Sequence, residues 1–146
     1  GLVNLAWWEN GFRHMTNSKR PITKLEDFGG IKMRVMQNKI YIDTFTMLGT
    51  NAVPLAFSEI YSALETKTVD AQENPFLNIK NMKFYEVMSQ VVLTSHLIGY
   101  DLLVISKKVW DEMSPEQQQA FQAALRPGCQ ILSRNREEAV KFIPNQ

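Results

Sequence analysis

A chain of 146 residues that is 45% hydrophobic carries enough apolar side chains to pack one domain, or one domain and part of another. Lys plus Arg number 16 and Asp plus Glu 15, and the resulting net charge of +1 supplies no broad field for nucleic acid or an anionic membrane, so any anion binding must be local. The single Cys129 has no partner for an intramolecular disulfide, neither it nor His14 and His96 has zinc-ligand spacing, and no apolar run approaches the roughly 20 residues of a membrane-spanning helix.

The opening Gly-Leu-Val-Asn-Leu-Ala-Trp-Trp has no basic region followed by an apolar one and reads as the interior of a longer chain. Leu2 to Trp8 is apolar enough for a buried strand, and Asn10-Gly11 marks a turn before a second extended piece, Phe12 to Thr16. Asn17 to Pro21 is polar loop, after which Thr23 caps a short helix, Lys24 to Phe28, ended by Gly29-Gly30. Ile31 to Met36 is strand-like, and Asn38 to Leu48 places Tyr41, Phe45 and Leu48 on one helical face closed by Gly49. Asn51 to Ala56 is extended; Phe57, Ile60, Tyr61 and Leu64 repeat the helical spacing, with Ser58 as cap; Val69 to Gln72 is a third strand before Pro75. Such alternation with short connections predicts an α/β fold with a mainly parallel sheet flanked by helices. Beyond it, Leu77 to Val87 is helical and Gln90 to Thr94 extended. Leu102-Leu103-Val104-Ile105 within Asp101 to Ser106 is apolar without interruption, the pattern of a central strand. Ser114-Pro115-Glu116 starts a helix whose face continues through Phe121, Leu125 and Leu132, and which Pro127-Gly128 kinks or divides.

No phosphate-binding glycine loop, nucleophile elbow or paired metal ligands occur, which disfavours an enzyme. A lone His14 reads as a surface or hydrogen-bonded histidine before it reads as a general base, and Cys129 as a small helix residue. Arg34 differs because of its place. It lies near the carboxyl end of the first strand of the alternating unit, where open α/β sheets bind ligands, and its planar fork suits a carboxylate. The pattern alone leaves two partners open for it: a ligand anion, or an internal ion pair with Glu59 or Glu73. Gln72-Glu73-Asn74 at the end of the third strand brings Asn74 to the same edge as a possible amide donor, although a polar cluster before proline is more often a plain turn.

Several blocks, in order and at matching spacing, resemble the solute-binding proteins of tripartite ATP-independent periplasmic (TRAP) transporters, C4-dicarboxylate-binding type. They are Asn10-Gly-Phe-Arg13 with Lys19-Arg-Pro-Ile22, Ile31-Lys-Met-Arg-Val35, Val53-Pro-Leu-Ala-Phe-Ser-Glu-Ile-Tyr61, Val69-Asp-Ala-Gln-Glu-Asn-Pro75, Leu102-Leu-Val-Ile-Ser-Lys-Lys-Val-Trp110 and Ser114-Pro-Glu-Gln117. The resemblance covers nearly the whole chain. It implies an extracytoplasmic, periplasmic receptor that closes two lobes on a small organic acid and delivers it to membrane permease subunits, with no enzyme activity, cofactor, metal or nucleic acid. It further implies that Arg34 forms the main salt bridge to a substrate carboxylate and that Asn74, Arg13, Phe57 and Gln37 line the same cleft. A ligand-sensing domain of a transcription regulator is the alternative, since lobes of this type recur there.

Two departures accompany the likeness. Ala71 stands where the family commonly has glycine, and family members are about twice as long. A fragment lacking the N-terminal half is therefore expected, with residues 10–98 as the ligand-binding lobe and residues 1–9 and 99–146 as crossover strands and helices of an incomplete second lobe. A strand such as Leu102 to Ile105, left without its neighbours, would favour self-association or strand exchange.

Overall fold

The computed structural model describes residues 1–142, and in the last helix the side chains at 126–133, 136, 140 and 142 lie outside the description, which takes in the expectations for Cys129 and Leu132. The alternating segment forms a parallel unit. β2 (Lys32–Val35) lies between β3 (Asn51–Pro54) and β4 (Ala71–Pro75), with Arg34 opposite Val53 and Met33 opposite Ala71. The crossovers are α1 (Lys39–Met47) and α2 (Ile60–Glu65). Asn38 caps α1, its side chain accepting from the Ile40 N–H at 2.9 Å. The chain enters the second crossover at Ala56 rather than at the expected Ser58. The Ala56 N–H donates to Glu59 Oε2 at 3.0 Å, and a 3-10 turn, Phe57–Glu59, precedes α2. A carboxylate three residues downstream reaches that free N–H, whereas the Ser58 hydroxyl lies already inside the turn. At the earlier helical turn, now 3-10 Leu25–Phe28, Asp27 likewise does the capping expected of Thr23, accepting from the Thr23 and Lys24 N–H groups at 2.9 and 3.1 Å.

The sheet has the order β3-β2-β4-β1-β5 and is mixed, because the two long strands β1 (Leu2–Asn17) and β5 (Gln90–Ser106) pair antiparallel. Each joins two pieces that the sequence presents separately. Asn10-Gly11 is not a reversal: Gly11 sits at φ +107° in a bulge, and β1 continues past it. The reason is β5, which pairs along β1 from Leu2 with Ser106 to Asn17 with Gln90, so that a turn would forfeit half of that ladder while a bulge forfeits one residue. β5 has its own irregularity between Val92 and Leu97, with Ser95 at φ +44°. Leu102 and Val104 do not occupy the centre of the sheet. β5 is an edge strand, and these residues are 51% and 42% exposed. An uninterrupted apolar run records a need for cover on both faces, which the described residues do not supply.

α3 (Phe76–Asn81) stops at Lys83, which adopts φ +56° before a 3-10 turn Phe84–Glu86, so the single helix expected over Leu77 to Val87 is two pieces. After α4 (Lys107–Glu112), α5 (Pro115–Phe142) starts at the expected Ser114, whose N–H donates to Gln117 Oε1 at 2.8 Å while its hydroxyl accepts from the Gln117 N–H at 3.3 Å. α5 runs undivided through Pro127-Gly128, one missing i→i−4 bond being too little to end a 28-residue helix. No helix among the described residues is long and apolar enough to cross a membrane.

Each face of the parallel unit has its own core. Met33, Val35 and Met15 pack with Phe45 of α1 and with Phe28 on one side, and Ile60, Leu64, Ile79 and Phe84 pack on the other. Ala71 belongs to the first cluster without a positive φ, so this position does not require glycine.

Candidate functional site

Strand alternation fixes which way each polar residue faces. Met33 and Val35 enter the α1-side core, so Arg34 turns to the opposite side with its cross-strand partner Val53. There its Nε and Nη2 both donate to the Leu55 carbonyl, at 3.0 and 2.7 Å. Arg34 is 2% exposed, and its Nη1 is buried with no hydrogen-bond partner among the described residues. Burial lowers its pKa from the ordinary value, Glu73 opposes that shift and Arg13 adds to it, yet a guanidinium stays charged in any protein site. A fixed, desolvated cation with an idle donor results.

The internal partners considered for Arg34 are engaged elsewhere. Glu59 holds the Ala56 N–H. Glu73, 0% exposed, accepts from Arg13 Nε at 2.5 Å and Arg13 Nη2 at 2.9 Å, and lies 3.0 Å from His96 Nε2. Burial pushes the Glu73 carboxyl up, but the hydrogen bonds from His96 and Arg13 outweigh it and hold the group below the usual carboxylate range. Arg13 thus reaches the site already neutralised, its guanidinium 5.5 Å from the Tyr41 ring centroid.

Asn74 is buried at the end of β4, with Oδ1 accepting from Arg13 Nη2 at 3.3 Å and from Asn78 Nδ2 at 3.2 Å. Its own Nδ2 donates to Gln72 Oε1 at 2.6 Å, and Gln72 Nε2 donates to Thr16 Oγ1 at 2.8 Å. Phe57 and Gln37, both exposed, lie in the connections that follow β3 and β2, and Phe57 meets Phe84 edge-on at 6.3 Å. The structure therefore joins Arg13 and Asn74 directly and sets Arg34 in the field of Arg13 and Glu73, while Phe57 and Gln37 are exposed. Sequence reasoning passed over His96 and Gln72. The signal for Gln72 is its place two residues before Asn74 on one strand face; His96 arrives across the sheet and leaves no local signal. Among the described residues no group of three or more His, Cys, Asp or Glu side chains is placed to hold a metal ion.

His14 is buried, stacked on Phe76 with centroids 4.3 Å apart, and its Nδ1 accepts from the Ser95 N–H at 3.3 Å. Burial first and the neighbouring His96 second lower its pKa below the ordinary 6.5. Because the unfolded chain takes up the His14 proton at a higher pH than the folded one, this contribution to stability is complete above about pH 6.5 and is lost as pH falls. The thermal midpoint is expected to fall between pH 7 and 5, and His14→Gln to make that fall shallower in calorimetric scans; parallel curves would contradict the assignment.

The model of the family described as bacterial extracellular solute-binding protein, family 7 (DctP), matches residues 1–142. The chain is 43% identical over 121 residues to the 2,3-diketo-L-gulonate-binding periplasmic protein YiaO of Escherichia coli (strain K12), an alignment covering 83% of this chain and 37% of that protein. It superposes at a TM-score of 0.89, with 42% identity, on the sugar acid binding protein DctPAm from Advenella mimigardefordensis in complex with galactonate, covering 97% of this chain and 47% of the other. A TRAP periplasmic solute binding protein from Polaromonas sp. JS666 bound to D-erythronate gives the same TM-score of 0.89 at 40% identity, with 97% and 47% covered. The chain thus spans less than half the length of these relatives. With the match running through all but the last residues, and with the sheet reproduced at over 40% identity, the chain belongs to family 7 of the bacterial extracellular solute-binding proteins, the DctP family.

Proposed function

We propose that this chain belongs to a periplasmic receptor that binds a small organic acid and delivers it to the permease subunits of a TRAP-type transporter. The observation that carries this reading is the buried Nη1 of Arg34, a charged donor at the end of a parallel strand without a partner among the described residues. A ligand carboxylate arriving there satisfies that donor and neutralises the cation in one step. The similar proteins favour a receptor over both an enzyme and the ligand-sensing domain of a transcription regulator, being named for what they bind, and galactonate and D-erythronate each carry one carboxylate. In this reading Arg34 and Asn74 hold the acid, Arg13 contributes through Asn74, and Phe57 and Gln37 border the ligand from the rim. Residues 10–98 form the ligand-binding lobe, residues 1–9 and 99–146 belong to a second lobe, and the exposed edge of β5 pairs with a neighbouring strand, of a second copy where no other covers it.

Calorimetric titration of the full-length protein with galactonate and D-erythronate tests the reading. At least one acid should bind, and the matching polyol, galactitol or erythritol, should bind about 100-fold more weakly for want of the carboxylate. Equal affinities for acid and polyol would remove Arg34 from recognition.

A further inference from the structure

We infer that Gln72 is a positioning residue for the acid site, fixing the amide of Asn74 so that one N–H remains for the ligand; the inference rests on the receptor reading above. Gln72 and Asn74 alternate with Ala71 and Glu73 along β4, and Ala71 lies in the α1-side core, so the two amides share the sheet face toward which Arg34 points. They form a directed chain. Asn78 Nδ2 and Arg13 Nη2 donate to Asn74 Oδ1, Asn74 Nδ2 donates to Gln72 Oε1, and Gln72 Nε2 donates to Thr16 Oγ1.

The direction of this chain is determined chemically. Arg13 has donors only, so Asn74 must turn its oxygen toward the guanidinium. Its nitrogen then faces Gln72, which must answer with Oε1, and the Thr16 hydroxyl accepts from the nitrogen left over. Reversing either amide sets N–H against N–H in a dry environment, where an unmade hydrogen bond is most costly. Gln72 takes one of the two Asn74 amide hydrogens, which leaves the other as the donor available to an acid. A residue that served packing alone at this 0%-exposed position would be apolar, since a buried amide is tolerated only when both of its ends are bonded.

The test uses the full-length protein with whichever of galactonate and D-erythronate binds more tightly as probe. Gln72→Met, which keeps the volume and removes the acceptor, should weaken binding about 10-fold, the scale of one hydrogen bond. Asn74→Ala should weaken it at least as much, and adding Gln72→Met to Asn74→Ala should cause no further loss, because Gln72 acts only through Asn74. Nuclear magnetic resonance of the wild type provides a readout that needs no variant to fold. Of the two Asn74 side-chain amide protons, the one bonded to Gln72 should keep its shift on ligand addition and the other should move. An equal loss from Gln72→Met in both backgrounds, no loss in either, or both amide protons moving together would overturn the inference. If Arg34→Ala still abolishes binding in those cases, the receptor reading survives without it. A wild type that binds neither acid overturns both.

Discussion

Glu73→Ala is expected to lower folding stability by about 3–5 kcal/mol in urea denaturation, the scale of stranding one member of a buried ion pair. The loss is more than that of one salt bridge. Arg13 is 6% exposed and has its Nε and Nη2 on the Glu73 carboxylate, so removing the acid leaves a guanidinium in the protein interior that, among the described residues, keeps only Asn74 and the Glu73 main-chain carbonyl to accept from it. His96 loses the Nε2 partner at the same time and keeps Thr94 Oγ1 at Nδ1. Against a domain stability of about 5–15 kcal/mol, this loss removes between about a fifth and all of the margin. Replacing both members by methionine should cost far less than either alanine alone, because no charge is then left behind. The folded Glu73 carboxyl lies below its ordinary range, so its contribution is complete above that range and disappears as pH falls through the folded value; Glu73→Ala should lack that acid-sensitive part. A loss below about 1 kcal/mol at neutral pH would mean that the pair is solvated and not a structural unit.

What the sequence made legible follows the range of the interactions. The parallel unit β3-β2-β4 and its crossovers rest on local periodicity and short connections, and these elements lie close to where their apolar spacing places them, except that β4 runs Ala71–Pro75 instead of the expected Val69 to Gln72. The two long strands do not obey local signals. Asn10-Gly11 has the residues of a hairpin turn and becomes a bulge because pairing with residues some 90 positions away outweighs it. The Leu102 to Ile105 run was readable as apolar on both faces, but the strands that would cover it are not a property of that segment.

The candidate site divides in the same way. Arg34 and Asn74 were readable as polar residues at strand ends, yet which acid each basic group would meet was not. Arg13 and Glu73 are 60 residues apart in sequence, and only the antiparallel register of β1 on β4, with Arg13 opposite Pro75 and Met15 opposite Glu73, brings the guanidinium to Glu73 and leaves Arg34 to the Leu55 carbonyl. The idle donor on Arg34 is thus a consequence of long-range pairing, as is the neutralised state of Arg13.

Arg34→Ala should weaken binding of galactonate or D-erythronate to the full-length protein by about 3–5 kcal/mol, which at 1.4 kcal/mol per tenfold is a loss of roughly two to three and a half orders of magnitude in affinity. Its effect on folding should be small and separable. Among the described residues Arg34 has no carboxylate partner to strand, and removing a desolvated cation with an unbonded Nη1 relieves a cost that offsets the two lost bonds to Leu55, so the thermal midpoint should change little or rise for Arg34→Met. Arg34→Lys separates charge from shape: an ammonium retains the cation but not the fork that holds Leu55 with one edge and an acid with the other, and should recover only part of the lost affinity. A residue of purely structural importance would give the opposite pair of results, a lowered midpoint with affinity falling only as the protein unfolds. Undiminished affinity in Arg34→Ala would mean that the acid is held elsewhere, and a large loss of stability with it would return Arg34 to the core.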